Sequence, residues 1–184
     1  MKYLGQLRYF LELEIFDAPD GIYLSQTKYA SDLISRSGMT DSQSASTPLK
    51  GNCRLTHFDD TPLEDPSRYQ QLVESLIYLT VTHPDIAHVV HIVSQFMANQ
   101  RTMHYVVVLR ILRYVKGTIL HGLHFSADSP LVLVGFFDAD WADIVHLSHV
   151  SSENHTADIF TKSLFPSRFS TLLSNLKLVS TLPS

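Results

Sequence analysis

Two neighbouring aspartates, Asp59 and Asp60, are the first candidates for chemistry in this chain, because paired carboxylates can hold two divalent metal ions. The pair follows His57 and Phe58 in a polar stretch, and no apolar strand flanks it. Without flanking strands, nothing fixes the geometry of the two carboxylates. We therefore interpret Asp59 and Asp60 as part of a solvated acidic loop.

A second candidate is a set of cations in a stretch without acidic residues. Positions 86 to 127 contain no Asp or Glu but carry Arg101, Arg110, Arg113 and Lys116, although the whole chain has a formal charge of −4. The last three recur at every third position of one predicted helix, with Arg101 near its start. Such a stripe can follow the phosphates of nucleic acid, or it can be an ordinary solvated face. Both interpretations remain open.

The ten histidines and the single cysteine do not predict a metal site. His88 and His91 lie one helical turn apart, and His121 and His124 are close neighbours, but a structural zinc needs four ligands in defined geometry. No cysteine or carboxylate lies in that stretch to complete a set. We therefore predict no metal and no cofactor. Cys53 has no partner cysteine, so we expect a reducing compartment.

Composition favours a folded, intracellular chain. Hydrophobic residues make up 45% and charged residues 17% of 184 positions, which is enough apolar material for the core of one or two small domains. The first residues lack the apolar region of a signal peptide, and no apolar run approaches the ~18 residues of a membrane span. We expect no membrane partner and no small-molecule substrate, and the compartment is otherwise unknown.

Residue periodicity predicts the elements that would position these groups. Leu7 to Phe16 alternates as a strand, a turn follows, and Ile22 to Leu24 pairs back as a hairpin. Ser25 is the expected N-cap of the first helix and Gly38 its stop. After a polar connection over 40–65, we expect helices from Pro66 to about 79, from about 86 to 97, and over 102–116. Strands over 120–126 and 131–137 and helices over 156–162 and 166–176 complete the prediction.

Several segments resemble, in the same order, the Pol polyproteins of Ty1/copia-type retrotransposons. The resemblance to their reverse transcriptase, beyond its polymerase active site, is carried by residues 9–15, 21–29, 75–80, 83–87, 93–97 and 110–118. Residues 138–142 are similar to the opening strand of the family's ribonuclease H domain, and 157–162 to its final helix. The resemblance implies a parent activity of RNA-directed DNA synthesis with RNA removal, which uses Mg²⁺.

The resemblance also implies that the catalytic centres are incomplete. The family's polymerase aspartates precede the first strand, so they have no counterpart here. Ribonuclease H chemistry needs about four carboxylates around two metals, of which only Asp138 and Asp158 match by position. The positions between the two motifs, 142 to 157, are too few for the missing strands and helix. We expect an internal deletion, with Asp138 at an exposed strand end and Asp158 at a helix start.

Two glutamates depart from the family pattern. Glu12 follows Tyr-Phe-Leu in the hairpin that resembles the primer grip, where the family usually has glycine, and Glu74 likewise replaces a glycine. Glycine permits close approach of the backbone, and a carboxylate at either place would repel phosphate. Both changes fit drift without selection.

We therefore predict an α+β chain with three parts. Residues 1–25 would form a palm-end hairpin, 26–127 the helical bundle of the thumb and connection, and 128–184 a truncated, loosely packed ribonuclease H remnant. The leading hypothesis for function is a catalytically inactive polyprotein fragment. The alternatives are a module that binds an RNA–DNA hybrid or DNA through its basic stripe, and an interaction module that docks onto an intact reverse transcriptase.

Overall fold

The computed structural model describes residues 8–51, 53–56, 58, 60–129, 156–174, 176 and 178–180. Within them the fold is α+β, as predicted. The strands are β1 Tyr9–Phe10, β2 Leu13–Ala18, β3 Gly21–Ser25, β4 His121–Ser126 and β5 Leu178–Ser180. The helices are α1 Thr27–Ser37, α2 Pro66–Leu79, α3 Ala87–Ser94, α4 Thr102–Gly117, α5 Asp158–Thr161 and α6 Pro166–Ser174. Asp59, the strand expected over 131–137 and Asp138 lie outside the described residues.

The first predicted strand is wrong in one respect, because a tight turn divides it. β1 pairs with β2 through Tyr9 with Glu14 and Phe10 with Leu13, which leaves a two-residue loop of Leu11 and Glu12. Both loop residues have positive φ, 48° and 60°. Two-residue hairpin loops favour this conformation because its twist matches the flanking strands. Apolar alternation continues through the loop, so the periodicity did not reveal the turn.

The five strands form one antiparallel sheet in the order β1-β2-β3-β4-β5. Gly21 begins β3 opposite both Ala18 of β2 and Ser126 of β4. Its φ is +145°, and a Cβ there would collide with the Phe125 carbonyl and lie 2.9 Å from the Ser126 Cα. Glycine is therefore required where β3 and β4 approach each other. All three predicted parts of the chain contribute strands to this sheet, and the predicted boundaries between them remain a prediction.

Helix α1 ends as predicted and begins differently. Gly38 takes the left-handed conformation with φ +74°, and its N–H bonds to the last turn. The N-cap is Gln26 rather than Ser25, and its side chain makes no capping bond. The Ser25 hydroxyl donates instead to the Glu14 carboxylate of β2, over 2.9 Å. Ser25, the predicted N-cap, therefore bonds within the sheet and does not cap the helix.

Helices α1 to α4 pack around the core, as their apolar periodicity predicts. α2 begins at Pro66, and Asp65 caps it by accepting a hydrogen bond from the Arg68 N–H over 3.2 Å. Tyr69 is fully buried and its hydroxyl donates to the Val93 carbonyl of α3 over 2.7 Å. This core contains several of the largest fully buried side chains, among them Leu33, Leu76, Leu79, Ile86, Ile111 and Leu112. No described helix is long and apolar enough to cross a membrane.

The described residues after 155 are packed more closely than we predicted for the C-terminal part. Ile159 of α5 and Phe169 and Leu172 of α6 are buried in the same core as the bundle. The Phe169 ring meets Tyr114 of α4 edge to face, with ring centroids 5.7 Å apart. β5 pairs with β4 and adds a strand to the sheet. The described residues after 155 are thus held by side-chain packing and by strand pairing.

Candidate functional site

The basic residues of α4 lie beneath the polar connection between α1 and α2. The Arg110 guanidinium donates from Nη2 to the Thr47 hydroxyl over 2.9 Å. Lys116 donates from Nζ to the carbonyls of Thr40 and Ser42, the latter over 2.7 Å. Both interpretations of the sequence predict an exposed stripe. Instead Arg110, Arg113 and Lys116 are each half-buried, because the connection crosses the helix at this face.

Two of these cations have unused hydrogen-bonding capacity. The Nε atoms of Arg110 and Arg113 are shielded from solvent, and neither has an acceptor in the described part of the chain. Burial lowers the pKa of Arg110, and the nearby Arg113 guanidinium lowers it further. No salt bridge to Arg110, Arg113 or Lys116 occurs among the residues that the structure describes. Within the described ranges, the oxygens bonded to Arg110 and Lys116 are therefore those of uncharged groups.

Arg101 does not belong to this cluster. Arg101 precedes α4, and its backbone forms an isolated antiparallel β-bridge with Pro62. Arg110 lies nine residues further along the helix, which at 1.5 Å per residue is about 13 Å away. The four cations predicted from sequence therefore separate into Arg101 at one end of the helix and the other three beneath the connection.

Asp158, the described member of the candidate ribonuclease H pair, is held by two cations. Its side chain is 6% exposed at the start of α5. Lys162 contacts one carboxylate oxygen at 2.7 Å and Arg168 contacts the other at 2.6 Å. The helix start agrees with the sequence prediction, whereas the ion pairs could not be anticipated from it.

A buried polar network joins segments that carry the family resemblance. The Thr82 hydroxyl donates to the Gln26 side-chain carbonyl over 2.9 Å, and both residues are fully buried. The His83 ring donates from Nε2 to the Thr118 carbonyl over 3.2 Å. Burial lowers the pKa of His83, although Asp85 opposes the shift. Gln26, His83 and Thr118 lie in segments that resemble the family, and Thr82 lies between two of those segments. The contacts among the four residues were not predicted.

Asp85 and Tyr114 form a second buried pair. The Tyr114 hydroxyl donates to Asp85 Oδ2, and Asp85 is 1% exposed. Burial raises the pKa of Tyr114, and the Asp85 charge raises it further, so the hydroxyl keeps its proton and remains a donor. Asp85 Oδ1 has no partner within the described part of the chain.

The structure describes six of the ten histidines, at positions 83, 88, 91, 104, 121 and 124. Among the residues that it describes, no group of three or more His, Cys, Asp or Glu side chains could hold a metal ion. His104 is fully buried, and its Nε2 donates to the Thr56 carbonyl over 2.9 Å. His124 stacks on Tyr23 across β3 and β4, with ring centroids 4.3 Å apart.

The most similar proteins include two transposon polyproteins. The chain is 39% identical over 137 residues to a retrovirus-related Pol polyprotein from transposon RE1 of Arabidopsis thaliana, covering 74% of this chain and 9% of that protein. It is 36% identical over 151 residues to the corresponding polyprotein from transposon TNT 1-94 of Nicotiana tabacum, covering 77% and 11%.

A shorter relative aligns over a similar share of the chain. An uncharacterized mitochondrial protein of Arabidopsis thaliana is 43% identical over 144 residues, which are 77% of this chain and 59% of that protein. The chain thus spans about three fifths of this relative and about a tenth of the two polyproteins. No protein-family model matches the chain. No solved structure matches it either.

Proposed function

The chain belongs to the family of copia-type retrotransposon Pol polyproteins, and we propose that it is a non-catalytic scaffold segment of such a polyprotein. In this proposal it corresponds to the thumb and connection of the reverse transcriptase, joined to part of the ribonuclease H domain. The parent protein's RNA-directed DNA synthesis and RNA removal would require groups that this segment does not supply.

The observation that carries the proposal is the double ion pair of Asp158. A carboxylate that binds catalytic Mg²⁺ must offer its lone pairs to the metal. Both oxygens of Asp158 already contact cations, Lys162 and Arg168, and the side chain is nearly buried. A metal ion would have to displace both cations and would meet their repulsion. Asp158 therefore supports a structural role at this position.

The location of the motif residues supports the same role. Leu76, Leu79, Ile86 and Val93 lie in the helical core. Two polar motif residues bond inside the chain, His83 to the Thr118 carbonyl and Tyr114 to Asp85. Packing and internal hydrogen bonds therefore account for these motif residues without a substrate.

Thermal unfolding in the presence of Mg²⁺ tests the proposed role of Asp158. If Asp158 is structural, Asp158→Asn lowers the melting temperature by the same amount with and without Mg²⁺, because the lost contacts are to Lys162 and Arg168. Asp41→Asn, at an exposed carboxylate, is the matched control and should change little. A rise in melting temperature with Mg²⁺ that Asp158→Asn removes would show that this carboxylate binds metal.

Nucleic-acid binding is a second candidate function, favoured by the cluster of Arg110, Arg113 and Lys116. Three cations without a carboxylate partner among the described residues are electrostatically suited to phosphate. The two unsatisfied Nε donors could each bond to a phosphate oxygen. The ligand proposed is an RNA–DNA hybrid or DNA, recognised through its backbone rather than its bases.

A salt series tests this second function. With a fluorescent RNA–DNA hybrid, we expect the Arg110→Gln/Arg113→Gln variant to bind more weakly and to reduce the salt slope by about 1–2. Lys28→Gln/Arg36→Gln, which removes two exposed cations from α1, is the matched control for net charge. Equal slopes in all three proteins would contradict a role for the cluster. Salt-independent capture of an intact reverse transcriptase would instead favour the proposed docking function.

A further inference from the structure

The connection between α1 and α2 occupies the basic face of α4 with its own oxygens. Its residues 40–47, here called the strap, have the sequence Thr-Asp-Ser-Gln-Ser-Ala-Ser-Thr. The strap supplies the Thr47 hydroxyl to Arg110 and the Thr40 and Ser42 carbonyls to Lys116. Its Ala45 N–H donates to the Arg113 carbonyl over 3.1 Å. The strap thus contacts each cation-bearing residue of the cluster.

We propose that the strap is an intramolecular competitor of nucleic-acid phosphate, so that the backbone of a hybrid binds to α4 only when the strap moves away. The proposal rests on the second function above and specifies how that site would be regulated. The occupant is identified by charge, because the donors are two guanidiniums and one ammonium. The strap oxygens that bond to Arg110 and Lys116 are uncharged, and the strap meets Arg113 at its backbone carbonyl.

Hydrogen-bond strength makes the exchange feasible. The strap bonds are already charge-assisted because their donors are cations. A phosphate adds a formal negative charge on the acceptor, and an arginine can hold it through two parallel bonds. The strap satisfies Arg110 at Nη2 only and leaves Nε without an acceptor in the described chain. A phosphate could bond to that Nε. The strap also carries the exposed Asp41, whose charge would oppose phosphate while the strap is in place.

The packing of the strap indicates which part can move. Thr47, Pro48 and Leu49 are buried, and Leu49 belongs to the hydrophobic core, so this end is anchored. Asp41, Gln43, Ser44 and Ser46 are exposed. A segment held by surface and half-buried hydrogen bonds opens at lower free-energy cost than one that is packed in the core, although Ala45 must leave its contact with the core. Movement is therefore expected over residues 40–46, which releases the strap carbonyls from Lys116. The Thr47 hydroxyl stays on Arg110 Nη2, and a phosphate would bond to that guanidinium from its Nε side.

The close approach of Ser44 to Gly117 permits a reversible lock. A Cβ built on Gly117 at the end of α4 would lie 3.1 Å from the Ser44 Cβ. Disulfides need about 3.5–4.5 Å between these atoms, so a small shift of the exposed strap would accommodate one. The test protein is Ser44→Cys/Gly117→Cys with Cys53→Ser, which removes the native thiol. Ser44→Cys with Cys53→Ser, given the same oxidant, is the control.

Hybrid affinity in the oxidised and reduced states of this protein tests the proposal. We expect oxidation to weaken binding at least tenfold and a reductant to restore it, with no change in the control. Equal affinity in both states would overturn the strap mechanism and leave the second function intact. No binding in either state, or by the wild-type chain, would overturn both.

Hydrogen exchange of the wild-type chain gives a second readout that needs no substitution. If phosphate displaces the strap, adding the hybrid exposes the Ala45 amide, so exchange of peptides covering 40–46 becomes faster. Peptides from α2 serve as the reference because no hydrogen bond of the described residues joins that helix to the strap. Unchanged or slower exchange over 40–46 at saturating hybrid would overturn the proposal.

Discussion

Tyr114 and Asp85 are 29 residues apart in sequence and meet in the interior, where the tyrosine hydroxyl donates to the carboxylate. Tyr114 lies on α4, and Asp85 lies in the 3₁₀ turn that precedes α3. Both belong to segments that resemble the copia-type polyproteins. The contact therefore fixes two motifs against each other, and it gives a structural reason for their residue types.

Removing the Tyr114 hydroxyl should destabilise the fold. Tyr114→Phe leaves the buried Asp85 carboxylate without its donor, and an unsatisfied buried group costs about 1–3 kcal/mol or more when it is charged. Urea unfolding followed by circular dichroism measures the change. Tyr105→Phe removes a half-buried hydroxyl from the same helix and should cost less than 1 kcal/mol. Equal losses in both variants would argue against the importance of the Asp85 contact.

Stability should fall in mildly acidic solution because of His83. An unperturbed histidine titrates near pH 6.5, and burial lowers the pKa of His83 in the folded state. The unfolded chain therefore binds more protons below that value, so the stabilisation present above pH 6.5 is lost as the pH falls towards the folded pKa. The unfolding free energy of His83→Gln should be lower than that of the wild type at pH 7. It should also change less between about pH 7 and 5. An unchanged pH slope would show that His83 protonation is not linked to unfolding.

Replacing Glu12 by glycine should stabilise the first hairpin. Glu12 has φ +60° in the two-residue turn, a conformation that costs a residue with a side chain about 1–2 kcal/mol. The usual family glycine is thus explained by turn geometry as well as by close approach. We expect Glu12→Gly to raise the unfolding free energy by about 1 kcal/mol over Glu12→Ala, which also lacks the carboxylate but keeps the strain. If the unfolding free energy of Glu12→Gly is no higher than that of Glu12→Ala, the turn is not strained by its side chain.

Gly21 and Gly38 should respond differently to alanine. Both have positive φ, but a Cβ on Gly21 meets the backbone of β4, whereas one on Gly38 has nothing within 4 Å. Gly38→Ala should therefore cost about 1 kcal/mol from backbone strain alone, and Gly21→Ala should cost several kcal/mol. Denaturant unfolding compares the two directly. Similar costs would mean that β3 and β4 can separate easily.

The helical core could be predicted because its signals are local. The apolar spacing in α2 and α4, Pro66 at a helix start and Gly38 at a helix end each act within a few residues. The Leu11–Glu12 turn escaped because it carries no glycine or asparagine, the residues that normally mark such turns. The order of the strands depends on pairing between distant segments, to which residue periodicity is insensitive.

The residues of the candidate site could be predicted from the sequence, but their burial could not. Charge and spacing identified Arg110, Arg113 and Lys116, yet their cover, the strap, begins more than 60 residues earlier in the chain. Likewise, motif position identified Asp158 but not Arg168 as its partner. A single sequence contains no local signal for either contact, because each depends on how the helices pack.

Cleavage of an RNA–DNA hybrid tests the central claim, that this chain is a scaffold without a working nuclease centre. The purified chain, Asp158→Asn and Asp138→Asn would be incubated with labelled hybrid and Mg²⁺ beside an active ribonuclease H. We predict that only the active enzyme releases labelled RNA. Reproducible Mg²⁺-dependent cleavage by the wild-type chain, abolished by Asp138→Asn or Asp158→Asn, would contradict the claim.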